Sequence, residues 1–394
     1  MTKSIVVRAP LITQSGYGVH SRQLAKWLLN VAKDRSDLDV TFDIVPWGMT
    51  PWYVDPAACD GLIGEIMQRT NKKDVYDVSL QLQLPNEWNP FLAKYNVGLT
   101  AGVETDVCNP AWVESINKMD LVVTPSEFTK ACFKNSGDVK TNIEVIPESW
   151  VPSVGTAKTR PNKLEEKLKL ETDFNFLVVS QFTGNNPEND RKNIAYTIKW
   201  FMEQFPNDPN VGVILKTNFG RNTSADRRNV LQIVSQIVME CKKGVGPRVY
   251  VLHGHMTDDE IVDLYTHPKV KALVNLARGE GFGLPILEAA ASGLPVIVTD
   301  WSAHTEFLRQ GKYVKVEYNM TPVHQTRVDN QIFMPNAKWA NPSEEDFKRK
   351  VKRFRDNSSI PKEWAVELQG KLLASHSPEA IEKRYSEVLK DILV

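Results

Sequence analysis

The stretch KALVNLARGEGFGLPILEAAASGLPVIVTD, from Lys271 to Asp300, combines two strand-like segments with a glycine-rich loop and a short helix. Residues 272–276 and 294–298 are almost wholly apolar, which is typical of buried parallel strands. Between them, Pro285 suits a first helical turn, and Gly293 is placed to close the helix in the left-handed conformation. The stretch therefore predicts a strand, loop, helix and strand within a parallel sheet.

The predicted start of this helix has the features of a phosphate site. The backbone amides of Phe282, Gly283 and Leu284 lie at its N-terminus, where unpaired amides and the helix dipole favour an anion. Glycines, including Gly281, allow a ligand to approach the backbone closely. We therefore expect a phosphate group at this position.

Two carboxylates flank this helix start. Glu288, near the first turn, can stay ionised beside the positive helix end, and its two oxygens suit the adjacent hydroxyls of a ribose. Glu280, in the loop before the helix, is free to accept hydrogen bonds from the hydroxyls of a second sugar. Together these groups predict a site for a sugar attached to a nucleoside diphosphate.

The segment EGFGLPILE, from Glu280 to Glu288, followed by AAASGLPVIVTD, resembles the two-glutamate motif of retaining glycosyltransferases of the family 4 type. The resemblance is specific over residues 249–307 and weaker over most of the chain. It implies an α/β protein of the GT-B fold, with two Rossmann-like domains whose parallel sheets face a central cleft. It also implies transfer of a glycosyl group from a UDP- or GDP-sugar with retention of configuration, without a metal or other cofactor.

Length and composition agree with such a protein. A chain of 394 residues is too long for one compact core and fits two domains. The 48 basic and 48 acidic residues leave no global field that would attract nucleic acid or an anionic membrane. The four cysteines show no zinc or disulfide spacing, and the sequence shows neither a signal peptide nor a membrane-spanning run. We therefore expect a cytoplasmic protein, in the host cytoplasm if it is viral.

Strand-like and helix-like segments alternate along the chain, which favours parallel sheets covered by helices. We expect a Rossmann-like, acceptor-side domain over residues 1–160 and a Rossmann-like, donor-binding domain over 173–372. Between them, residues 151–172 are polar and contain prolines, as a linker does. By resemblance, an amphipathic C-terminal helix within 373–394 crosses back to the first domain.

A basic pair follows the first strand of the second domain. Arg191 and Lys192 resemble the pair by which the family neutralises the donor diphosphate, whose negative charge grows as the glycosidic bond breaks. The arginine that the family often has directly after this strand is replaced by Gln181 or Phe182, so Arg191 and Lys192 carry the task alone. Further donor-site candidates lie at later strand ends and in the following loop: Lys216, His253 and His255.

The first domain contains candidate site residues with weaker sequence signals. Gly16 and Gly18 lie between its first strand and helix, where they suit a donor phosphate or an acceptor. Glu104 and Thr105 follow a strand where many relatives have a histidine near the reacting sugar, so we expect them to position substrate without acting as nucleophiles. Aromatic acceptor-side candidates, which can stack on a sugar ring or a base, are Tyr17, Trp47, Trp52 and Tyr53.

The acceptor and the reaction class retain alternatives. A sugar, glycan or lipid-linked acceptor suits the neutral charge. The opening QSGYGVHSRQL, however, resembles enzymes of bacterial viruses, some of which glycosylate hydroxymethylated bases of DNA. If DNA is the acceptor, its phosphates would contact Arg221, Arg227, Arg228 and the basic helix 347–355. Helix capping also explains the basic cluster of that helix.

Three rival classes use similar residues. A glycosidase also uses two carboxylates, but these flank the scissile bond about 5 to 9 Å apart and need no phosphate-binding helix start. A nucleotide-sugar epimerase or a phosphorylase of the same fold needs no acceptor alcohol. A non-catalytic protein would bind the nucleotide sugar and turn nothing over.

Overall fold

The structure, a computed structural model, describes residues 2–393, and the chain divides into two compact units. The first unit holds the residues up to Ser149, Asn330–Met334 and those from Pro378 onward. The second unit holds Trp150–Asp329 and Pro335–Ser377. Each unit contains a six-stranded parallel sheet with helices packed on it, which is the predicted α/β arrangement.

The strands are β1 Lys3–Ala9, β2 Leu38–Ile44, β3 Tyr76–Leu82, β4 Ala93–Leu99, β5 Leu121–Thr124, β6 Ile143–Val145, β7 Phe174–Val179, β8 Val211–Thr217, β9 Arg248–His253, β10 Val270–Asn275, β11 Val296–Thr299, β12 Val314–Val316, β13 Tyr318–Pro322 and β14 Lys338–Pro342. The α-helices are α1 Gly16–Ala32, α2 Leu62–Gln68, α3 Pro110–Ile116, α4 Glu127–Ser136, α5 Ser153–Thr156, α6 Leu164–Lys167, α7 Ile194–Gln204, α8 Ser224–Cys241, α9 Asp258–Tyr265, α10 Leu284–Ala291, α11 His304–Leu308, α12 Glu344–Asp356, α13 Ser359–Ser375 and α14 Pro378–Leu393. Within residues 2–393, no helix combines the length and apolar character that crossing a bilayer requires.

The sheet of the first unit has the order β2-β1-β3-β4-β5-β6. The strand order therefore reverses between β1 and β3, and the crevice at such a reversal is where open α/β sheets bind ligands. The loop after β1 leads into α1, and the loop after β3 begins at Gln83. These two loops border the switch point of the first unit.

The sheet of the second unit runs β9-β8-β7-β10-β11-β12, which is the strand order of a doubly wound Rossmann sheet. Its order reverses between β7 and β10. The loop 180–193 after β7 and the loop 276–283 after β10 therefore flank the expected ligand crevice. Fully buried Phe176, Val213 and Ala272 of adjacent strands belong to the core beneath these loops.

The C-terminal helix α14 packs against α1 inside the first unit. Its apolar stripe, including Ile381, Tyr385 and Leu389, is buried, as the sequence predicts. The ring of Tyr385 stacks on that of Trp27 with centroids 5.3 Å apart, and its hydroxyl lies 2.9 Å from His20 Nε2. Both apolar and polar contacts thus attach this helix to the first unit.

Two parts of the second unit gave little sign in the sequence. Segment 151–172, expected as a linker, forms α5 and α6 and packs on α9, where Ser153 Oγ donates to Asp259 at 2.7 Å and Arg160 bonds Asp263 at 2.5 Å. Strands β13 and β14 pair as an antiparallel hairpin that was not predicted. Segment 151–172 is held by polar side-chain contacts, and strand β13 is mostly exposed, so neither shows the apolar periodicity that predicts an element.

Candidate functional site

The switch point of the second sheet brings together three of the predicted residues. Lys192, after β7, donates from Nζ to both carboxylate oxygens of Glu280, after β10, at 2.6 and 2.7 Å. Arg191 Nη1 lies 3.6 Å from Glu280 Oε2 and donates to the backbone oxygen of Gly279 at 2.7 Å. A cluster of two cations and one carboxylate therefore occupies the crevice that the strand order predicts.

Glu280 is not free in the way the sequence suggested. Its side chain is buried, with 6% of the residue exposed, and Asn275 Nδ2 also donates to it at 3.2 Å. Burial opposes ionisation, but Lys192 first and Arg191 next outweigh it and hold the pKa of Glu280 at about 2. The expectation of an open carboxylate is thus corrected: a ligand hydroxyl must share this carboxylate with Lys192.

The loop before α7 is shaped by Asp190, which the sequence analysis did not single out. Its buried carboxylate accepts hydrogen bonds from Thr183 Oγ1 at 2.7 Å and from the backbone amide of Ile194 at 2.9 Å. Asn193 then takes a left-handed conformation with φ of 56°. An aspartate just before a helix is a known turn former, so this role had a weak local signal.

The start of α10 has the predicted glycine chemistry. Gly283 has φ of 99°, and a Cβ on it would lie 3.0 Å from His304 Cβ, so both conformation and space require glycine. Among residues 2–393, no side chain makes a capping hydrogen bond at this helix start. Phe282 is buried against Phe307, with ring centroids 5.4 Å apart, so its side chain serves the core while its backbone borders the site.

Glu288 lies in the second turn of α10, and only 7% of it is exposed. Burial raises its pKa to about 8, Asp258 adds to the rise, and a hydrogen bond from the Tyr265 hydroxyl at 3.3 Å offsets part of it. At pH 7 the carboxyl is therefore mostly protonated. The expectation that it stays ionised beside the helix start is wrong, because the side chain lies on the buried face and beyond the terminal amides.

The loop after β9 is secured by Lys216. Its Nζ donates to the backbone oxygen of Gly254 at 2.8 Å and to Asn218 Oδ1 at 3.1 Å, and burial lowers its pKa to about 8. Gly254 has φ of 109°. His253 is half-buried, which lowers its pKa, and His255 is exposed. Lys216 thus holds the predicted base-framing loop rather than joining the Lys192–Glu280 cluster.

In the first unit, Tyr17 lies at the switch point. Its hydroxyl is 3.1 Å from Thr100 Oγ1 and accepts the Ala101 amide at 3.1 Å. Its ring stacks on Trp47, with centroids 3.9 Å apart. Trp52 is exposed over 43% of its surface. The structure therefore joins Tyr17 and Trp47 into one aromatic pair, attached to the loop after β4.

The other first-unit candidates have mainly local roles. A Cβ on Gly18 would lie 2.1 Å from the backbone oxygen of Thr13, so the turn itself requires this glycine, whereas Gly16 has no atom within 4 Å of that position. Thr105 is fully buried and donates to the backbone oxygen of Val107 at 2.8 Å.

Two further predicted residues, Tyr53 and Glu104, have different surroundings. Arg22 lies over the ring of Tyr53, 5.0 Å from its centroid, so this tyrosine is engaged within the first unit. Glu104 is half-buried.

A polar residue at the same switch point escaped the sequence analysis. Gln83 directly follows β3, is 6% exposed, and its Oε1 has no hydrogen-bond partner within residues 2–393. A glutamine that ends a buried strand was the available signal. Throughout residues 2–393, no group of three or more His, Cys, Asp or Glu side chains could hold a metal ion.

Helix α12 has the capping that the sequence indicated. Ser343 Oγ accepts the amide of Asp346 at 3.3 Å. Its basic residues are largely paired with carboxylates: Lys348 with Glu203 at 2.6 Å, Lys350 with Asp346 at 2.7 Å and Arg355 with Asp208 at 3.0 Å. Most of its positive charge is therefore compensated locally.

Comparison with known proteins gives matches of two kinds. Residues 182–323 match the family described as glycosyl transferases group 1. A segment of 56 residues is 39% identical to the serotype-specific mannosyltransferase WbdA of Escherichia coli, and it covers 14% of this chain and 7% of that protein. The family match includes the loops that carry Arg191, Lys192 and Glu280.

Solved structures resemble the chain over nearly its whole length. HepE of Anabaena, in complex with UDP and glucose, is 15% identical with a TM-score of 0.60, over 99% of this chain and 100% of that one. Sucrose-phosphate synthase of Thermosynechococcus elongatus is 13% identical with a TM-score of 0.62, over 99% of both chains. WaaG, a glycosyltransferase involved in lipopolysaccharide biosynthesis, is 13% identical with a TM-score of 0.60, over 98% of this chain and 99% of that one. These likenesses confirm the predicted GT-B class of α/β fold.

Proposed function

We propose that this chain, whose residues 182–323 match the group 1 glycosyltransferases, moves a glycosyl group from a nucleoside-diphosphate sugar to a hydroxyl acceptor. The observation that carries the proposal is the cluster of Arg191, Lys192 and Glu280 at the switch point of the second sheet. Glu280 lies in the loop that leads into the glycine-rich start of α10, so cations, helix amides and a carboxylate border one crevice.

Each group of the cluster has a proposed task. Arg191, Lys192 and the amides at the start of α10 bind the diphosphate, whose charge grows as its bond to the sugar breaks. Glu280 holds Lys192 in place before the reaction and accepts a hydrogen bond from a sugar hydroxyl. Because these charges are fixed in advance, little reorganisation accompanies bond breaking.

We further propose that the transfer retains configuration and needs no metal. A carboxylate with a pKa of about 2 is a weak base, so Glu280 suits electrostatic stabilisation better than proton removal. The acceptor would then attack on the face from which the diphosphate leaves, and a departing phosphate oxygen would take the acceptor proton. The basic pair supplies the charge that a metal otherwise provides.

The nucleoside part of the donor has candidate partners farther along the same sheet. Glu288 is proposed to bind the ribose hydroxyls, and the loop of His253 and His255, held by Lys216, to frame the base. Either a UDP- or a GDP-sugar fits these groups. Gly16 and Gly18 stay candidates for backbone contacts, and Glu104 and Thr105 for positioning.

For the acceptor we propose a sugar, a glycan or a lipid-linked sugar. The Tyr17–Trp47 pair and the exposed face of Trp52 offer aromatic surfaces on which sugar rings stack. A hydroxymethylated base of DNA is the alternative acceptor. The carboxylate partners of Lys348, Lys350 and Arg355 leave α12 little charge for DNA phosphates, so α12 does not favour it.

The test is a panel of UDP- and GDP-sugars, screened by thermal shift and then assayed for nucleoside-diphosphate release with sugar, lipid-linked and DNA acceptors. We expect one donor to stabilise the protein and to be turned over equally with and without EDTA. Stabilisation without turnover on any acceptor would indicate a non-catalytic binding protein. Activity abolished by EDTA and restored by magnesium or manganese would contradict the metal-free site.

A further inference from the structure

Arg278 is a buried arginine two residues before Glu280, and only 6% of it is exposed. Its guanidinium donates to Asn341 Oδ1, and its Nε lies 3.4 Å from the backbone oxygen of Asp190. The guanidinium carbon lies 5.5 Å from the ring centroid of Trp339. Its direct partners are therefore an amide, a carbonyl and an indole face rather than a carboxylate.

The backbone of Arg278 connects the same segments. Its amide donates to the backbone oxygen of Arg191 at 2.7 Å, and its own oxygen accepts the amide of Ala340 at 2.9 Å. Through main chain and side chain, Arg278 thus fastens the loop 190–192 on one side and strand β14 on the other. Strand β14 lies outside the residues that match the family.

We propose that Arg278 is a positioning residue of the transfer reaction: with Asn341 and Trp339, it fixes the loop of Arg191 and Lys192 against Glu280. The inference rests on the proposed function for the meaning of that cluster. Arg278 is not placed in contact with the donor; it acts through the loop that it holds.

The chemistry of arginine supports this role. Replacing buried ionic groups by apolar residues is often neutral or stabilising, so core packing alone does not account for a buried guanidinium. Its planar fork donates at once to Asp190 and Asn341, which belong to different segments, while its face stacks on Trp339. A lysine has one donor centre and cannot span both acceptors.

Loss of Arg278 has a consequence at Glu280. Lys192, Arg191 and the buried His304 are the charged or titratable groups that act on this carboxylate, and Asn275 Nδ2 and the Ser302 hydroxyl lie beside them. If the loop 190–192 moves away, burial is left with less opposition, and the Glu280 carboxylate becomes harder to ionise. The acid limb of turnover would then move to higher pH.

The experiment compares R278Q and R278K with R384Q, which changes an exposed arginine on α14. In R278Q we expect kcat to fall about tenfold or more, because catalysis needs the aligned loop, while affinity for free nucleoside diphosphate falls about threefold or less. The acid limb of the kcat profile should move to higher pH, R278K should be intermediate, and R384Q should match the wild type. The proposal would be overturned if a lower melting temperature of R278Q accounted for its loss of kcat and the acid limb of its pH profile did not shift.

A second readout needs no turnover. The carboxyl of Glu280 is titrated by ¹³C NMR in the wild type and in R278Q, with E280Q identifying the signal. We expect the pKa of Glu280 to be higher in R278Q, and an unchanged titration in folded R278Q would overturn the proposal. A wild type that turns over no nucleotide sugar, while R278Q shows the shifted titration, would instead contradict the proposed function alone.

Discussion

Glu280 and Glu288 lie in one motif and are almost equally buried, at 6% and 7% exposure, yet their pKa values move in opposite directions. The loop before α10 places Glu280 against Lys192 and Arg191, and its pKa falls to about 2. The second turn of α10 buries Glu288 near Asp258, and its pKa rises to about 8 although the Tyr265 hydroxyl donates to it. The comparison shows that neighbouring elements, not the spacing of the motif, decide which carboxyl carries the charge.

The largest effect is expected from removing Lys192, the cation that pairs with Glu280 and gives the two carboxyls opposite pKa shifts. In Lys192→Met, the buried Glu280 carboxylate loses its closest partner, which costs about 3–5 kcal/mol of stability for a buried pair. Lys192→Met with Glu280→Gln should recover most of that loss, since no charge is left unpaired. Both variants should lack transferase activity. Chemical denaturation measures the stabilities, and a single variant as stable as the wild type would refute the pairing.

Glu280→Gln alone tests whether this carboxylate acts on the sugar. We expect turnover to fall about a hundredfold, because a neutral amide neither orients Lys192 nor accepts the sugar hydroxyl as strongly. Affinity for the free nucleoside diphosphate should change by about threefold or less, since that ligand lacks the sugar. Steady-state kinetics and calorimetry provide the two numbers, and an equal loss of nucleotide affinity would count against the assignment.

Glu288→Ala should give the opposite division. Buried ribose hydroxyls would lose their partner, so affinity for the nucleoside diphosphate should weaken by roughly 1 to 3 kcal/mol. The effect should be the same for the free nucleotide and for the nucleotide sugar. A folded variant with wild-type affinity for both ligands would remove the ribose role from Glu288.

A fourth test concerns the pH dependence of stability. A carboxyl whose pKa rises from 4.5 unfolded to about 8 folded binds more protons when folded, so its contribution falls as pH increases through that window. Glu288→Gln should remain uncharged and lose this slope. Unfolding free energies at several pH values measure it, with Glu345→Gln on α12 as an exposed control. Equal slopes in Glu288→Gln and the wild type would contradict a protonated Glu288.

The parts of the fold that were predictable have local signals. The strands predicted at 272–276 and 294–298 correspond to β10 and β11, and α10 lies between them as predicted, because apolar runs and the left-handed Gly293 mark these elements locally. The β13–β14 hairpin was missed because Tyr318–Pro322 is mostly exposed and shows no apolar alternation. A local sequence pattern reflects which residues are buried, so elements with few buried residues are not predicted.

The site was predictable in its members but not in its contacts. The glycines and charged residues marked Arg191, Lys192 and Glu280, yet the contact that joins Lys192 to Glu280 spans 88 positions of sequence. The roles of Asp190 and Arg278 depend on the same long-range approach of two loops. The raised pKa of Glu288 depends on burial and on Asp258, which the motif does not encode.

The most direct test of the central claim is a crystal structure with bound UDP or GDP. The account predicts the diphosphate within hydrogen-bonding distance of Lys192 Nζ and the amides of Gly283 and Leu284, with the ribose hydroxyls on Glu288. Lys192 should then be shared between Glu280 and a phosphate oxygen. A nucleoside diphosphate bound away from the loops after β7 and β10, with Lys192 and Glu280 undisturbed, would contradict it.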